Sequence, residues 1–365
     1  MTTSVGNGPS RAPVTSTFTD AHLPRLIEVW LLLASAVMSG AALLLVGFNP
    51  AVWAVATAAL YVIAIGVSSR LVENARKAND RVARALVTIT FLLAIVPLVS
   101  ALWTVLVKGI GQLSWSFISQ TGQARFNPTT LEVTRTPGAL QAVVGTFEIT
   151  GIATLISVPI GLLAAIYLVE YALTTSHLRR VVTFLVDVMT GIPSIVAGLF
   201  AFSLFTLVVG PKAFSGLSAA IALSVLMIPI VVRSSEEMLR LVPTDLREAS
   251  YALGVTKSVT IIKIVLRTAI PGIVTGIVLA VARVVGETAP VFIAASFTDN
   301  FNADPFNGPQ QTLAVLAYTG YKFPGKDIAA SNQEAWGSAL LLVIIVILFN
   351  IIARVVARIF APKSR

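Results

Sequence analysis

The chain has 365 residues, of which 56% are hydrophobic and only 12% charged, with a mean hydropathy of +0.87. A soluble domain carries about 25% charge, so the composition excludes an ordinary soluble enzyme or binding module and reads as a polytopic membrane protein. The absence of cysteine excludes disulfides and thiolate metal sites, and the net charge of +9 must be located along the chain before it says anything about partners.

Residues 1–25 open the chain as a polar tail, "MTTSVGNGPSRAPVTSTFTD" and onward, without the apolar h-region of a cleavable signal. The tail is expected to be disordered and to stay attached. Helices of roughly 17 to 25 apolar residues cross the ~30 Å hydrocarbon layer. Eight stretches qualify: 26–46, 51–67, 85–107, 145–169, 183–209, 217–233, 270–296 and 338–360. The expected fold class is therefore all-α, a polytopic transmembrane helical bundle of eight spans. Of the 26 Lys and Arg, 19 fall in segments that share a side with the termini, six fall on the other side, and Arg283 alone lies within a span. Positive charge in short loops is retained in the cytoplasm. Both termini are thus predicted to be cytoplasmic, the net charge is topological, and no nucleic-acid partner is implied.

Within the spans, Pro159, Pro193 and Pro229 predict kinks. Glu148 and Asp187 fall near or within the fourth and fifth spans; each is a candidate for a polar passage or for a headgroup-level position. His22 and His177 offer no metal-ligand spacing and read as solvated. Between the sixth and seventh spans lies "RSSEEMLRLVPTDLREASYALGVTKSVTIIKIVLRTAIPGI", too long for a mere connection. Pro243 and Thr244 stop what precedes it. Asp245 is placed as an N-cap with Glu248 at the third helical position, an acidic form of the capping box. Gly254 then ends the helix before a second one returns to the membrane. A short helix, a glycine turn and a further helix should hang below the bilayer, with Ala249, Ser250 and Ala252 giving a small face for close approach.

The seventh span holds "ARVVGETAP", residues 282–290, where Arg283 and Glu287 interrupt an apolar run. A charge at mid-bilayer costs on the order of 2.5 to 3.5 kcal/mol, so such residues face a water-filled passage or a partner charge. Their spacing of four predicts one helix face and salt-bridge reach, with the Thr288 hydroxyl close by. A guanidinium forks onto oxyanion pairs, and a neighbouring carboxylate would weaken its hold as a conduit requires. The bland alternative is an ion pair stapling this helix to another subunit. Gly272 and Gly276 on the same helix form a small packing face. Farther on, "GYKFPGKD" nearly spells a phosphate-binding loop, but Asp327 replaces the Mg²⁺-holding hydroxyl and no apolar strand precedes it, so a solvated turn is expected.

The loop sequence "EASYALGVTKSVTIIKIVLRTAIP" resembles the E-A-A, three residues, Gly motif of permease subunits of ATP-binding-cassette importers, with Glu248, Ala249 and Gly254 at the matching positions. That family usually has a proline near position 267, where this chain has Arg267 and places Pro271 four residues later. Together with "GIPSIVAGLF", "VGTFEITGIATLISVPIGLLAAIYLVEY" and "PGIVTGIVLAVARVVGETAPVF", the chain resembles the phosphate-specific permeases of the PstA type over roughly residues 85–365. The resemblance implies a type I importer permease core of six spans, here with an extra N-terminal helical hairpin. Residues 26–84 would be that hairpin with its basic loop, 85–143 the first core span with an extracytoplasmic loop, and 144–360 the core with coupling loop 234–268.

The resemblance further implies a heterodimer with a homologous permease subunit, a cytoplasmic ATPase dimer and an extracytoplasmic phosphate-binding protein, in a prokaryotic plasma or inner membrane. Asp245, Glu248, Ala249 and Gly254 would couple to the ATPase, which itself binds ATP and Mg²⁺, and this chain would bind no cofactor. It would be a transport subunit and no enzyme. Arg283 and Glu287 are the substrate residues it points to, with Thr288, Glu148 and Asp187 as further candidates. Chemistry alone leaves sulfate and molybdate open as substrates. A proton-coupled carrier working through Glu148, Asp187 and Glu287 is the competing class, but it has no use for a helix-turn-helix below the membrane.

Overall fold

The structure is a computed structural model that describes residues 23–360 except 25, 128–131, 174 and 211–213, and only the backbone at 46, 123–127, 132–134, 357, 359 and 360. Residues 1–22 and 25 of the predicted tail, His22 among them, lie outside the described residues. The chain falls into two compact units, one up to Ala101 and the other from Leu102.

In the first unit, α1 (Ile27–Val46) and α2 (Pro50–Val72) form a hairpin that leads into α3 (Ala75–Gly109). The Asn49 side chain caps α2 by accepting from the N–H groups of Ala51 and Val52, and Pro50 supplies the preset φ of a first helical residue. Lipid offers no water to polar groups, so those inside the hairpin find each other. Trp53 Nε1 donates to the Ala36 carbonyl at 2.9 Å, and the Ser39 and Thr57 hydroxyls meet at 2.8 Å. At the other end Arg81 forks onto both oxygens of the fully buried Glu73, at 2.9 and 2.8 Å, and reaches Glu28 at 2.6 Å, joining all three helices. Glu73 sits in the turn beyond α2, where hydrogen bonds from Arg81 and then from the Ser69 hydroxyl hold its carboxyl down at about 2.

In the second unit, α4 (Trp115–Ser119) follows the end of α3, and a small hairpin that the sequence reading did not include then joins the otherwise helical fold. Strands β1 (Thr121–Asn127) and β2 (Glu132–Ala139) pair antiparallel, with Thr121 opposite Ala139, Gln123 opposite Thr136 and an irregularity between those pairs. Next come α5 (Leu140–Ile166) with a π-turn (Tyr167–Tyr171), α6 (His177–Thr190), α7 (Ser194–Val209) and α8 (Gly216–Arg240). The short α9 (Thr244–Ala252) and α10 (Lys257–Thr260) lead through a second π-turn (Ile261–Val265) into α11 (Leu266–Val285). The chain ends with α12 (Ala289–Ala295), α13 (Leu313–Lys322) and α14 (Ile328–Phe360).

The predicted spans meet mostly longer helices. Among the described residues, seven helices are long and apolar enough to cross a membrane, and an eighth crossing requires α6 and α7 to be taken together. The uninterrupted span expected at 183–209 is corrected to two helices bent by 108°, and the one at 270–296 stops at Val285.

The core forms around α8, whose small residues let other backbones approach closely. Ala219, Ala220, Ala222, Leu223, Met227 and Val231 pack against Ile149 and Ala153 of α5, Ala280 and Val284 of α11, and Val291 of α12. The Gly272 and Gly276 face lies on α8, because a Cβ there would come within 2.2 Å of Met238 Sδ and 2.5 Å of Ser234 Oγ. At the Leu140 end of α5, Arg135 gathers Asp299 at 2.9 Å and the fully buried Glu334 at 2.8 Å, tying β2 to α14 and to the segment after α12. The "GYKFPGKD" segment ends α13 at Lys322 and then connects irregularly to α14. Asp327 accepts the Ala330 N–H at 3.0 Å and so heads α14.

Candidate functional site

Two interrupted helices create the site. Pro193, at φ −59° and ψ 138°, has no N–H to continue the α6 ladder and disfavours helical geometry at Ile192, so "GIPS" becomes a break and α7 restarts at Ser194. The second interruption follows α11, where Gly286 closes the helix and Thr288 starts α12 with a proline in its first turn. The breaks are adjacent: a Cβ on Gly198 of α7 would lie 2.7 Å from Pro290 Cα. Beside them runs α8 with Pro229 inside it, which leaves the carbonyl of the preceding turn without its donor. A cavity of about 190 Å3 opens here, its wall including Thr190, Ser194, Pro229, Ile230, Arg283 and Glu287.

Of the residues expected from sequence, the cavity brings together Arg283 and Glu287. Their expected relation is corrected: they do not share a helix face as an ion pair. Arg283 occupies the last turn of α11, whereas Glu287 lies beyond the end at Gly286, so the four-residue register is lost. Among the described residues neither side chain has a hydrogen-bond or ion-pair partner, and the guanidinium is exposed. Thr288 holds the N-cap position of α12 without a side-chain capping bond and is not part of the cavity wall.

Glu148 and Asp187 also lie apart from the cavity wall. Glu148 accepts from Gln310 Nε2 at 2.8 Å, and Gln310 is itself fully buried and reaches the Asn302 carbonyl at 3.1 Å. Asp187 pairs with Arg233 of α8, from which a chain of charges continues through Glu236 at 3.0 Å to Arg240 at 2.6 Å. Arg233 is three residues past Ile230, about 4.5 Å of helix rise toward α9. The sequence reading missed the Thr190 and Ser194 hydroxyls in the wall. Their signal was Pro193, read there only as a kink.

At the far end of α8, α9 begins at Thr244 with Pro243 at its head, two residues before the predicted start. The capping box is thereby corrected. Pro243, at φ −56° and ψ 140°, already sets the helix entry, so Asp245 falls inside the first turn, where its carboxylate complements the positive helix end, and Glu248 is too far along to reach back. The turn glycine is where it was expected. Gly254 has φ 76°, and the Val255 N–H closes on the Ser250 carbonyl at 3.2 Å. Asp245, Glu248 and Ala249 are exposed and Leu253 is 84% exposed, while Ser250 is buried against Thr260. The helix therefore shows an acidic and apolar face outward and anchors itself by the other.

Residues 157–365 match the family described as binding-protein-dependent transport system inner membrane component. Over 291 residues the chain is 43% identical to the phosphate transport system permease protein PstA 1 of Mycobacterium tuberculosis, a match covering 80% of this chain and 91% of that one. It is 37% identical over 297 residues to the phosphate transport system permease protein PstA of Yersinia pestis, covering 81% and 95%. A chain of the inward-facing MetNI methionine ABC transporter is similar at 24% identity and a TM-score of 0.48, covering 62% of this chain and 95% of that one. The chain belongs to the family of inner membrane components of binding-protein-dependent transport systems.

Proposed function

We propose that this chain forms half of the passage for inorganic phosphate, and that Arg283 is where the anion meets it. As a member of its family it is a multi-pass inner-membrane permease subunit that works with a separate ATPase and a substrate-binding protein. The observation that carries the phosphate reading is the unpartnered guanidinium of Arg283 in a cavity between broken helices, with relatives named as phosphate transport permeases. Irregular backbone at membrane depth is tolerated where it lines a cavity, and a fork of fixed charge suits an oxyanion. Glu287, half-buried across from it, keeps the empty cavity near neutral and the anion's stay brief.

A homologous permease subunit would supply the other half of the passage. Thr288, Glu148 and Asp187 would flank it rather than form its centre. The α9 knob would dock on a cytoplasmic ATPase dimer, which holds ATP and Mg²⁺, and both termini would be cytoplasmic. Sidedness is supported by geometry: Arg135, Asp299 and Glu334, all from segments assigned outside, meet at one end of α5, while α9 lies at the other. The deciding experiment is ATP-driven uptake by vesicles holding the assembled complex, with phosphate, sulfate and molybdate in competition. Phosphate should enter and excess sulfate or molybdate should not displace it; uptake of either in preference to phosphate, or uptake that survives ATP depletion, refutes the reading.

A further inference from the structure

Arg247, like Ser250, lies on the inward face of α9, and its guanidinium makes four hydrogen bonds to neighbouring segments. Its Nε and Nη2 donate to Glu170 Oε1 at 3.2 and 2.9 Å, Nη1 donates to the Val242 carbonyl at 2.6 Å, and Nη2 also donates to the Leu239 carbonyl at 3.0 Å. Leu239 is in the last turn of α8 and Val242 two residues past its end, where the Leu239 carbonyl otherwise accepts a long 3.4 Å bond from the Val242 N–H, so the guanidinium caps that helix. Glu170 belongs to the π-turn that closes α5, in which the Ala172 N–H reaches back to the Tyr167 carbonyl at 2.8 Å. Both side chains are largely removed from solvent, at 15% and 6% exposure.

A second contact repeats the link, since Lys257 Nζ, at the start of α10, lies 4.9 Å from the ring centre of Tyr171 in the same π-turn. Beneath them an apolar cluster joins Ala165 of α5, Leu239 of α8, and Val265, Ala269 and Ile273 of the second π-turn and α11. The α9 knob is thus fastened at one point to α5 and α8 together. Those two helices have different destinations. α8 carries Pro229 and Ile230 in the cavity wall, and α5 carries Glu148 at the opposite end of the bundle.

We propose that Arg247 is a positioning residue whose simultaneous hold on Glu170 and the α8 terminus transmits displacement of α9 to the passage. The proposal rests on the reading of α9 as the ATPase-docking element. A rigid, planar cation suits the site, because Arg247 spreads its contacts over Nε, Nη1 and Nη2, whereas the three donors of an ammonium leave a single nitrogen and cannot reproduce that fork.

The test uses the assembled complex in vesicles, with inorganic phosphate as probe and moles of phosphate moved per ATP hydrolysed as readout. A purely structural defect lowers the amount of working complex and so scales uptake and hydrolysis together, leaving that ratio alone. Arg247→Lys keeps the charge balance of the buried pair, so the complex should assemble while the ratio falls roughly tenfold, within the usual range of coupling between sites. Glu170→Gln, which keeps shape and an acceptor, is the second variant and should lower the ratio as well. Leu253→Cys, in a chain with no other cysteine, serves as docking control, since a cross-link to the ATPase should form in all these backgrounds. No cross-link even with native Arg247 refutes the docking reading itself. A cross-link with a normal ratio in Glu170→Gln, and in Arg247→Lys where it accumulates, overturns the role of Arg247 and leaves docking standing.

Discussion

Arg283→Met separates an anion contact from a structural staple, and the structure gives each a different magnitude. Within the chain the guanidinium is exposed and has no ion-pair partner among the described residues. Removing it should therefore change stability by no more than about 0.5 kcal/mol, as for surface positions generally. A buried pair that loses one member would instead cost about 3 to 5 kcal/mol. A charge-assisted hydrogen bond to a travelling anion contributes about 1.5 to 3 kcal/mol, so uptake should fall by roughly 10- to 150-fold. Arg283→Lys should lie between, since it keeps the charge and loses the fork. Melting temperature and ATP-driven phosphate uptake would be measured on the same preparation of the assembled complex. An unchanged melting temperature with uptake lost is the expected result. A collapsed complex that recovers both assembly and uptake in the Arg283→Met, Glu287→Gln double variant would refute the anion contact and show a staple to another subunit.

Gly198→Ala places a methyl carbon 2.7 Å from Pro290 Cα and 3.0 Å from its carbonyl oxygen, both backbone atoms that cannot rotate away. It should cost about 1 to 3 kcal/mol in a thermal melt and impair uptake by parting α7 from α12; a neutral result would mean the two helices are not held together there. At Gly254 a Cβ meets nothing within 4 Å, so Gly254→Val acts only through its φ of 76° and should weaken ATPase co-purification by about 1 to 2 kcal/mol. Gly254→Asn should be tolerated, and equal behaviour of the two variants would remove the conformational argument. Glu73, held at about 2 against an ordinary 4.5, favours the folded state fully above about 4.5 and loses that contribution as pH falls toward about 2. Melting of the detergent-solubilised chain across that window should steepen with acid in the native sequence and flatten in Glu73→Gln; identical slopes would contradict the clamp.

Much of the bundle was legible because lipid imposes a simple rule: a helix must satisfy its own backbone, so long apolar runs become helices whatever else they do. That rule located α1, α2, α5, α8 and α14, and the glycine rule located the turn at Gly254. It could not locate features that depend on contacts distant in sequence. Glu334 reads as one acid before a span, and only the fold shows it fully buried under Arg135, 199 positions earlier. Arg247 similarly reads as one more basic residue of a cytoplasmic loop until Glu170, 77 positions away, is beside it. The β-hairpin escaped because its "TGQARFN" and "EVTRTPGA" strands lack apolar alternation and carry a proline and glycines, the residues that argue against strands.

The errors made within the membrane are of another kind, and they bear on function. Hydropathy continued one span through 183–209 and another through 270–296, because composition stays apolar across "GIPS" and "GETAP" while the backbone does not stay helical. A break exposes N–H and C=O groups, which hydrocarbon penalises by several kcal/mol each and a polar cavity does not. Two such breaks in contact, with Pro229 opposite them, thus favour a shared polar space, and the cavity at Arg283 and Glu287 occupies it. The charge that looked most costly in the sequence, and the prolines at 193 and 229 that looked merely like kinks, have one explanation: the helices are broken where the guanidinium needs room.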